Sequence, residues 1–337
     1  MSILQEYKDI IQNFNNARIG VIGDIVADIT ISGRPTKLSR EAPVIVVKHE
    51  SETIAPGGAG NTINNISRLG SKVYPVCILG NDAPGNYIFD YFAKNPNVET
   101  NGLFRNPSDN TTSKTRILAG DMHTTKQQVI RIDKEPDHPI PVELEERILR
   151  YIEKVNNEVS VWVVSDYDYN IMTNKVIRLI KTFAKEKVVI VDSRRRLRDF
   201  KGVTIAVPNE SEAEMAGNTR ITETNTIFDI GKVLLMDMEV EKLLITRGNH
   251  GMLLFEKTGK ITDIDVCGTK EVTDVTGAGD TVVSILSLAY ASGATPGQAA
   301  RLSNYGAAVV VMKSGTATLT CNELINIIEK DLGCTQQ

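Results

Sequence analysis

The chain has 337 residues, 41% of them apolar and 24% charged, with a net charge of −4. That composition fits a soluble globular protein, and the acidic balance gives no electrostatic basis for binding nucleic acid or an anionic membrane. Cys77, Cys267, Cys321 and Cys334 show no Cys-x-x-Cys spacing, which argues against a zinc site or disulfide framework and for a reducing cytoplasm.

In chain order, the first residues place Glu6, Lys8 and Asp9 among apolar neighbours, predicting an amphipathic helix and not a signal peptide. No apolar stretch reaches the length of a membrane span. Residues 18–24, Arg-Ile-Gly-Val-Ile-Gly-Asp, predict a buried strand that ends in a carboxylate. Further strand-like runs cover Val73–Leu79, Val159–Ser165, Val188–Asp192, Val203–Val207 and Leu243–Thr246. Helical patterns at Asn61–Leu69, Ala83–Ala93, Val142–Val155 and Thr173–Lys185 lie between most of them, and Gly279–Ser292, Pro296–Lys313 and Asn322–Leu332 make the last third mostly helical. This alternation predicts an α/β fold with a mostly parallel, doubly wound sheet covered by helices on both faces. Ligands in such folds lie beyond the C-terminal strand ends, where Asp24, Asp166 and the Asn209 segment fall.

Residues 29–48 and 112–133 break the alternation and read as strand pairs without helices of their own. The predicted organisation is an α/β core of residues 1–28, 49–111 and 134–337, with a small β-sheet lid from 29–48 and 112–133. The lid's outer face is a candidate dimer contact, because exposed strand edges are usually covered. An antiparallel extension of the main sheet is the alternative arrangement.

Asp274-Val-Thr-Gly277-Ala278-Gly279-Asp280-Thr281 runs directly into an apolar helical stretch. Backbone N–H groups at such a turn have no helical acceptors and can receive an anion. Asp280 beside them can take a proton from a hydroxyl, a pairing that suits phosphoryl transfer to an alcohol. An ordinary glycine turn is the plainer reading. Gly57-Gly58-Ala59-Gly60-Asn61 also opens a helix, where Asn61 can cap it or bind a hydroxyl. Asp24 and Asp28 can hold sugar hydroxyls or be solvated. Asn209 and Glu212 form a capping box, or Glu212 orders water around Mg²⁺. Thr246-Arg247-Gly248 closes a strand where a nucleotide could rest, and Arg194-Arg195-Arg196-Leu197-Arg198 is most simply a solvated loop face.

Together these segments resemble the ribokinase-like (PfkB-type) carbohydrate kinases over nearly the whole chain. Gly-Gly-Ala-x-Asn at 57–61 and Asp-x-Thr-Gly-Ala-Gly-Asp-Thr at 274–281 are similar to the two family signatures, with Asn209-x-x-Glu212 between them. The resemblance implies transfer of the ATP γ-phosphoryl group to a sugar hydroxyl. It implies Asp280 as the base, and Gly277, Ala278 and Gly279 as the anion hole. Asp28, Gly57, Gly58, Asn61 and Asp166 would contact sugar, and Asn209, Thr246, Gly248 and Asn304 would surround the nucleotide. Glu212 would act on Mg²⁺ through water, and Asp274, Thr276 and the Ser314-Gly315 loop would form a monovalent-cation (K⁺) site.

Leu38–Val44, Lys114-Thr115-Arg116, Gln127–Asp133 and Ser165-Asp166-Tyr167 resemble the kinase domain of D-glycero-β-D-manno-heptose-7-phosphate kinases. Those enzymes phosphorylate the anomeric hydroxyl on the route to ADP-heptose, a lipopolysaccharide precursor. The resemblance implies that Lys114, Arg116 and Arg131 grip the sugar's own phosphate; as lid-strand residues they could instead face outward. Where those kinases continue with a small residue, Lys and Gly, this chain has Asp168-Tyr169-Asn170, exchanging a basic residue for a neutral one and adding a carboxylate. No second nucleotidyltransferase domain precedes Gln337, so a separate adenylyltransferase is expected as a pathway partner. A kinase for a free sugar or fructose phosphate, or a non-catalytic sugar- or nucleotide-binding protein on the same fold, are the competing readings.

Overall fold

The computed structural model describes residues 2–121, 126–222, 226–267, 273–313 and 315–334. Helix α1 (Ile3–Gln12) precedes strand β1 (Arg18–Gly23), and the chain then runs out along β2 (Ile25–Leu38) and back along β3 (Ile45–Gly58). Next come α2 (Ala59–Arg68), β4 (Lys72–Gly80), α3 (Ala83–Ala93) and β5 (Leu103–Asn106), then the antiparallel pair β6 (Ser113–Ala119) and β7 (Gln127–Lys134). Alternation resumes through α4 (Val142–Asn156), β8 (Val161–Asp166), α5 (Asn174–Phe183), β9 (Val188–Ser193), β10 (Ile205–Ala206), α6 (Glu210–Gly217), α7 (Ile227–Asp237) and β11 (Lys242–Thr246). Strands β12 (Met252–Glu256) and β13 (Ile261–Ile264) precede α8 (Ala278–Ala291), α9 (Pro296–Val310) and α10 (Cys321–Cys334).

Among the described residues, the main sheet has nine strands in the order β13-β12-β11-β10-β9-β8-β1-β4-β5. It is parallel from β11 to β5, with β12 and β13 added antiparallel at one edge. The central strands are buried on both faces, which is why β8 is apolar without alternation. Its side chains still divide by parity. Val161 and Val163 pack towards α2, α8 and α9, whereas Trp162 and Val164 pack towards α4, α5 and α7.

The smaller sheet, ordered β3-β2-β6-β7, is separate from the main one, so the edge-extension alternative is not adopted. Its limits differ from the predicted lid. β3 pairs with β2 along its full length, from Leu38↔Ile45 to Ile25↔Gly58. Residues 49–58 and 25–28, assigned from sequence to the core, therefore lie in the smaller sheet. Their inner ends are buried like core strands, which hid the boundary. The Val203–Val207 run forms only the two-residue β10, and the β12–β13 hairpin was not anticipated.

Gly20 on β1 carries the bulk of Trp162. A Cβ at Gly20 would stand 2.3 Å from the indole ring, which is fully buried and stacks on Phe183 with centroids 5.9 Å apart. Gly20→Ala should lower unfolding stability by about 1–3 kcal/mol, the usual cost of overpacking. A denaturant titration reading Trp162 fluorescence checks this.

Candidate active site

The C-terminal ends of β8, β9, β10 and β11 and the N-terminus of α8 meet under the smaller sheet. They enclose a cleft of about 480 Å³ whose lining includes Asp28, Gly58, Lys114, Arg116, Arg131 and Asp166 of the expected set. Asn209, Glu212, Thr246, Thr276, Gly277, Gly279 and Asp280 line it as well. Thr246 and Gly279 also border a second, mostly apolar cavity of about 620 Å³, together with Gly248, Ala278 and Asn304. Gly57 lies on β3, where a Cβ would stand 2.1 Å from the Asp28 carboxylate.

Asp280, in the first turn of α8, is 3% exposed, and donors from two distant segments fix its orientation. The Tyr167 hydroxyl donates to Oδ1 at 2.7 Å, and Asn61 Nδ2 donates to Oδ2 at 3.0 Å. Burial raises the Asp280 pKa to about 6, against these two hydrogen bonds, which favour the charged form. Tyr167 is held far above the usual tyrosine range by burial and by the Asp280 charge, so it remains a donor. Gly277 caps α8 with φ 78°, and a Cβ there would lie 2.4 Å from Asn61 Nδ2. A glycine at 277 therefore meets both a left-handed backbone and a close contact.

Two expectations change here. Asn61 neither caps α2, whose cap is Gly58, nor reaches the cleft. It is fully buried, and its amide is committed to Asp280 and to Asn65, so it positions the Asp280 carboxylate. In the anion cradle, Ala278 spends its N–H on the Val275 carbonyl at 3.2 Å. Among the described residues, the N–H groups of Gly277, Gly279 and Asp280 have no acceptor, as at any first helical turn.

Asp24, between β1 and β2, is neither solvated nor turned to the cleft. Its buried carboxylate accepts the N–H groups of Tyr167 at 2.9 Å, Tyr169 at 3.1 Å and Ile171 at 3.5 Å. Burial and then Asp166 push its pKa up to about 7 against those bonds. The loop held in this way has left-handed backbone at Asp168 (φ 67°) and Asn170 (φ 81°). Asp168 turns to Arg195, 3.7 Å away. Asp166 accepts the Ser193 hydroxyl at 2.6 Å.

Asn209 and Glu212 form the reciprocal capping box of α6, each bond 2.9 Å, and both also face the cleft. Asp192, which the sequence reading passed over, lies opposite Glu212. Burial raises both carboxyl groups, and the charge of Glu212 raises Asp192 further. Such a pair suits a cation held mainly by phosphate and water. Among the described residues no three His, Cys, Asp or Glu side chains cluster around a metal position. Asp274 staples two loops, Oδ1 accepting the Thr276 N–H and Oδ2 the Gly315 N–H, each at 2.9 Å. Burial works against its ionisation, but those bonds outweigh it and lower the pKa. Ser314 lies outside the described residues. Asn304 donates to the Asp265 carbonyl at 2.7 Å.

Arg194 is the largest departure from the sequence reading. It is exposed, as a solvated face implies, but it also lines the cleft, its guanidinium 4.2 Å from the Tyr167 ring centroid. Asp192 closes a predicted strand and Arg194 follows two residues later, near the strand-end signal that marked Asp24 and Asp166.

The sequence matches the pfkB family carbohydrate kinases over residues 16–323. The chain belongs to the pfkB family of carbohydrate kinases. It is 36% identical over 326 residues to "Bifunctional protein HldE" of Geotalea uraniireducens, covering 95% of this chain and 65% of that protein. The chain thus spans under two thirds of that relative. Arabidopsis thaliana ribokinase, solved with ribose and ATP, shares the fold at TM-score 0.70 and 18% identity, covering 93% of this chain and 99% of that one. Escherichia coli phosphofructokinase-2, solved with potassium, has TM-score 0.73 at 14% identity, covering 95% of this chain and 100% of its own.

Carbon-13 NMR of the Asp280 carboxyl should give a midpoint near the value of about 6 set by burial. Tyr167→Phe removes a donor that favours the charged form, so the midpoint should move upward. An unchanged or lower midpoint would contradict the geometry.

Proposed function

We propose that the protein is an ATP-dependent sugar kinase, acting on the anomeric hydroxyl of heptose 7-phosphate in ADP-heptose synthesis. The observation that carries this reading is the placement of Asp280. It is a buried carboxylate with a raised pKa, beside unpaired N–H groups, on the polar cleft and next to Gly279, which borders both the polar and the apolar cavity. The polar cleft suits a sugar phosphate, and the apolar cavity suits a nucleoside. The similarity of the 38–44, 114–116, 127–133 and 165–167 segments to heptose-phosphate kinases supports the choice of sugar.

In this reading Asp280 takes the proton of the attacking hydroxyl, its orientation set by Asn61 and Tyr167. The free N–H groups of Gly277, Gly279 and Asp280 stabilise the charge on the phosphoryl oxygens. Asp28, Gly57, Gly58 and Asp166 shape the sugar end, while Asn209, Thr246, Gly248 and Asn304 border the nucleotide. Glu212, with Asp192, would hold Mg²⁺ through water, and Mg²⁺ supplies neutralisation of phosphate charge. K⁺ beside the Asp274–Gly315 staple belongs to the same reading, as does a cytoplasmic setting. A separate adenylyltransferase would act on the product.

The test is ATP consumption across phosphorylated and free sugars, with Asp280→Asn beside the unaltered chain. Turnover of heptose 7-phosphate should fall by about 10²-fold or more with ATP affinity kept, the scale of general-base loss. For the unaltered chain, kcat/KM should fall as pH drops through the Asp280 pKa of about 6, because the protonated carboxyl cannot accept a proton. Near-normal turnover of Asp280→Asn at saturating substrate would refute its role.

The smaller sheet also supports a dimer. Leu38, Val44 and Ile45 on one side and Val129, Ile130 and Ile132 of β7 on the other are exposed apolar side chains on an uncovered sheet. Light scattering at micromolar concentration should give twice the chain mass, and Ile130→Lys should shift it towards the monomer. A monomeric unaltered chain would exclude this contact.

A further inference from the structure

We propose that Lys114 and Arg194 form the phosphate-monoester site of the cleft, supported by the rings of Tyr169 and Tyr167. This rests on the sugar-phosphate reading and names the cations that serve it. Among the described residues, four cations line the cleft: Lys114, Arg116, Arg131 and Arg194. Two are already neutralised. Arg116 Nη1 lies 2.8 Å from Asp28 Oδ1, and Arg131 grips both oxygens of Asp133, through Nε and Nη2 at 2.9 Å each.

Lys114 and Arg194 are different. Among the described residues neither has an ion-pair partner. Lys114 Nζ lies 5.9 Å from the Tyr169 ring centroid and Arg194 4.2 Å from that of Tyr167, geometries in which an aromatic face holds a cation. Burial first, and then the Arg194 charge, lower the Lys114 pKa. Two cations from separate segments, β6 and the loop just after β9, thus approach one another without a close ion-pair partner, with Asp28 and Asp133 acting on Lys114, and Arg194 on Asp192, Glu212 and Asp280, only at longer range. A phosphate monoester carries about −1.5 to −2 at neutral pH and offers three oxygens. It matches one ammonium plus one planar guanidinium able to grip two oxygens. Lys114 stands opposite Asp28 in the β2–β6 register, which puts it at the sugar end of the cleft, within reach of the Arg194 charge. The one new carboxylate nearby, Asp168, is turned to Arg195 and lines an adjoining hollow instead of this cleft.

The experiment is calorimetry in an Asp280→Asn background, where turnover is slowed, with heptose 7-phosphate, the same heptose without phosphate, and ATP each titrated alone. Arg194→Ala and Lys114→Ala should each weaken sugar-phosphate binding by about tenfold or more, with free-sugar and ATP affinity within about twofold. Arg194→Lys should retain part of the affinity. Arg116→Ala, which only releases Asp28, should weaken both sugars alike. Equal losses for phosphorylated and free sugar in Arg194→Ala would overturn the proposal. So would a loss confined to ATP, which would place Arg194 on the phosphoryl group in transit. Should the unaltered chain accept only free sugars, the substrate reading falls, but inorganic phosphate still decides the site. Competitive inhibition abolished by Arg194→Ala supports it, and unchanged inhibition overturns it.

Discussion

One buried carboxylate, Asp24, fixes the geometry on which the cleft depends. It lies where the chain leaves the main sheet for the smaller one, and it accepts three N–H groups from the loop after β8. Those bonds leave Tyr167 little freedom: its N–H is held by Asp24, its hydroxyl reaches Asp280, and its ring carries Arg194. The Asp280 carboxylate, the loop and Arg194 therefore share one anchor. A polar group buried this deeply is costly unless satisfied, so the arrangement specifies a single loop conformation.

Much of this was legible in the sequence because strand ends and helix starts leave local signatures. Apolar runs closed by Asp24, Asp166 and Thr246 marked one edge of the sheet, and Asn209-x-x-Glu212 announced its own capping box. What was not legible are contacts closed only by the fold. Asn61 and Asp280 are 219 residues apart, and nothing local distinguishes an asparagine that caps a helix from one that steadies a distant carboxylate. The basic run at 194–198 misled because its members look alike but go separate ways. Arg195 pairs with Asp168, Arg196 with Asp199, and Arg198 with Asp237, while Arg194 alone enters the cleft.

The Asp168-Tyr169-Asn170 loop shows the same limit from another side. Read as residue types, it replaces a small residue and a glycine with an acid and an amide. Read as backbone, positions 168 and 170 both keep a left-handed conformation, which Asp and Asn tolerate better than most side chains. The sequence could not show that the new carboxylate points away from the cleft.

The polar cleft and the apolar cavity meet at Gly279, which has no side chain to divide them, with Thr246 and Val275 bordering both. For inhibitor design this shared border has a direct meaning. A fragment for each compartment, joined by a short tether past Gly279, would bind its second half at an effective concentration near the millimolar range. Selectivity among related enzymes would then come from the cationic end of the molecule's path, and most of the buried contact from the apolar end.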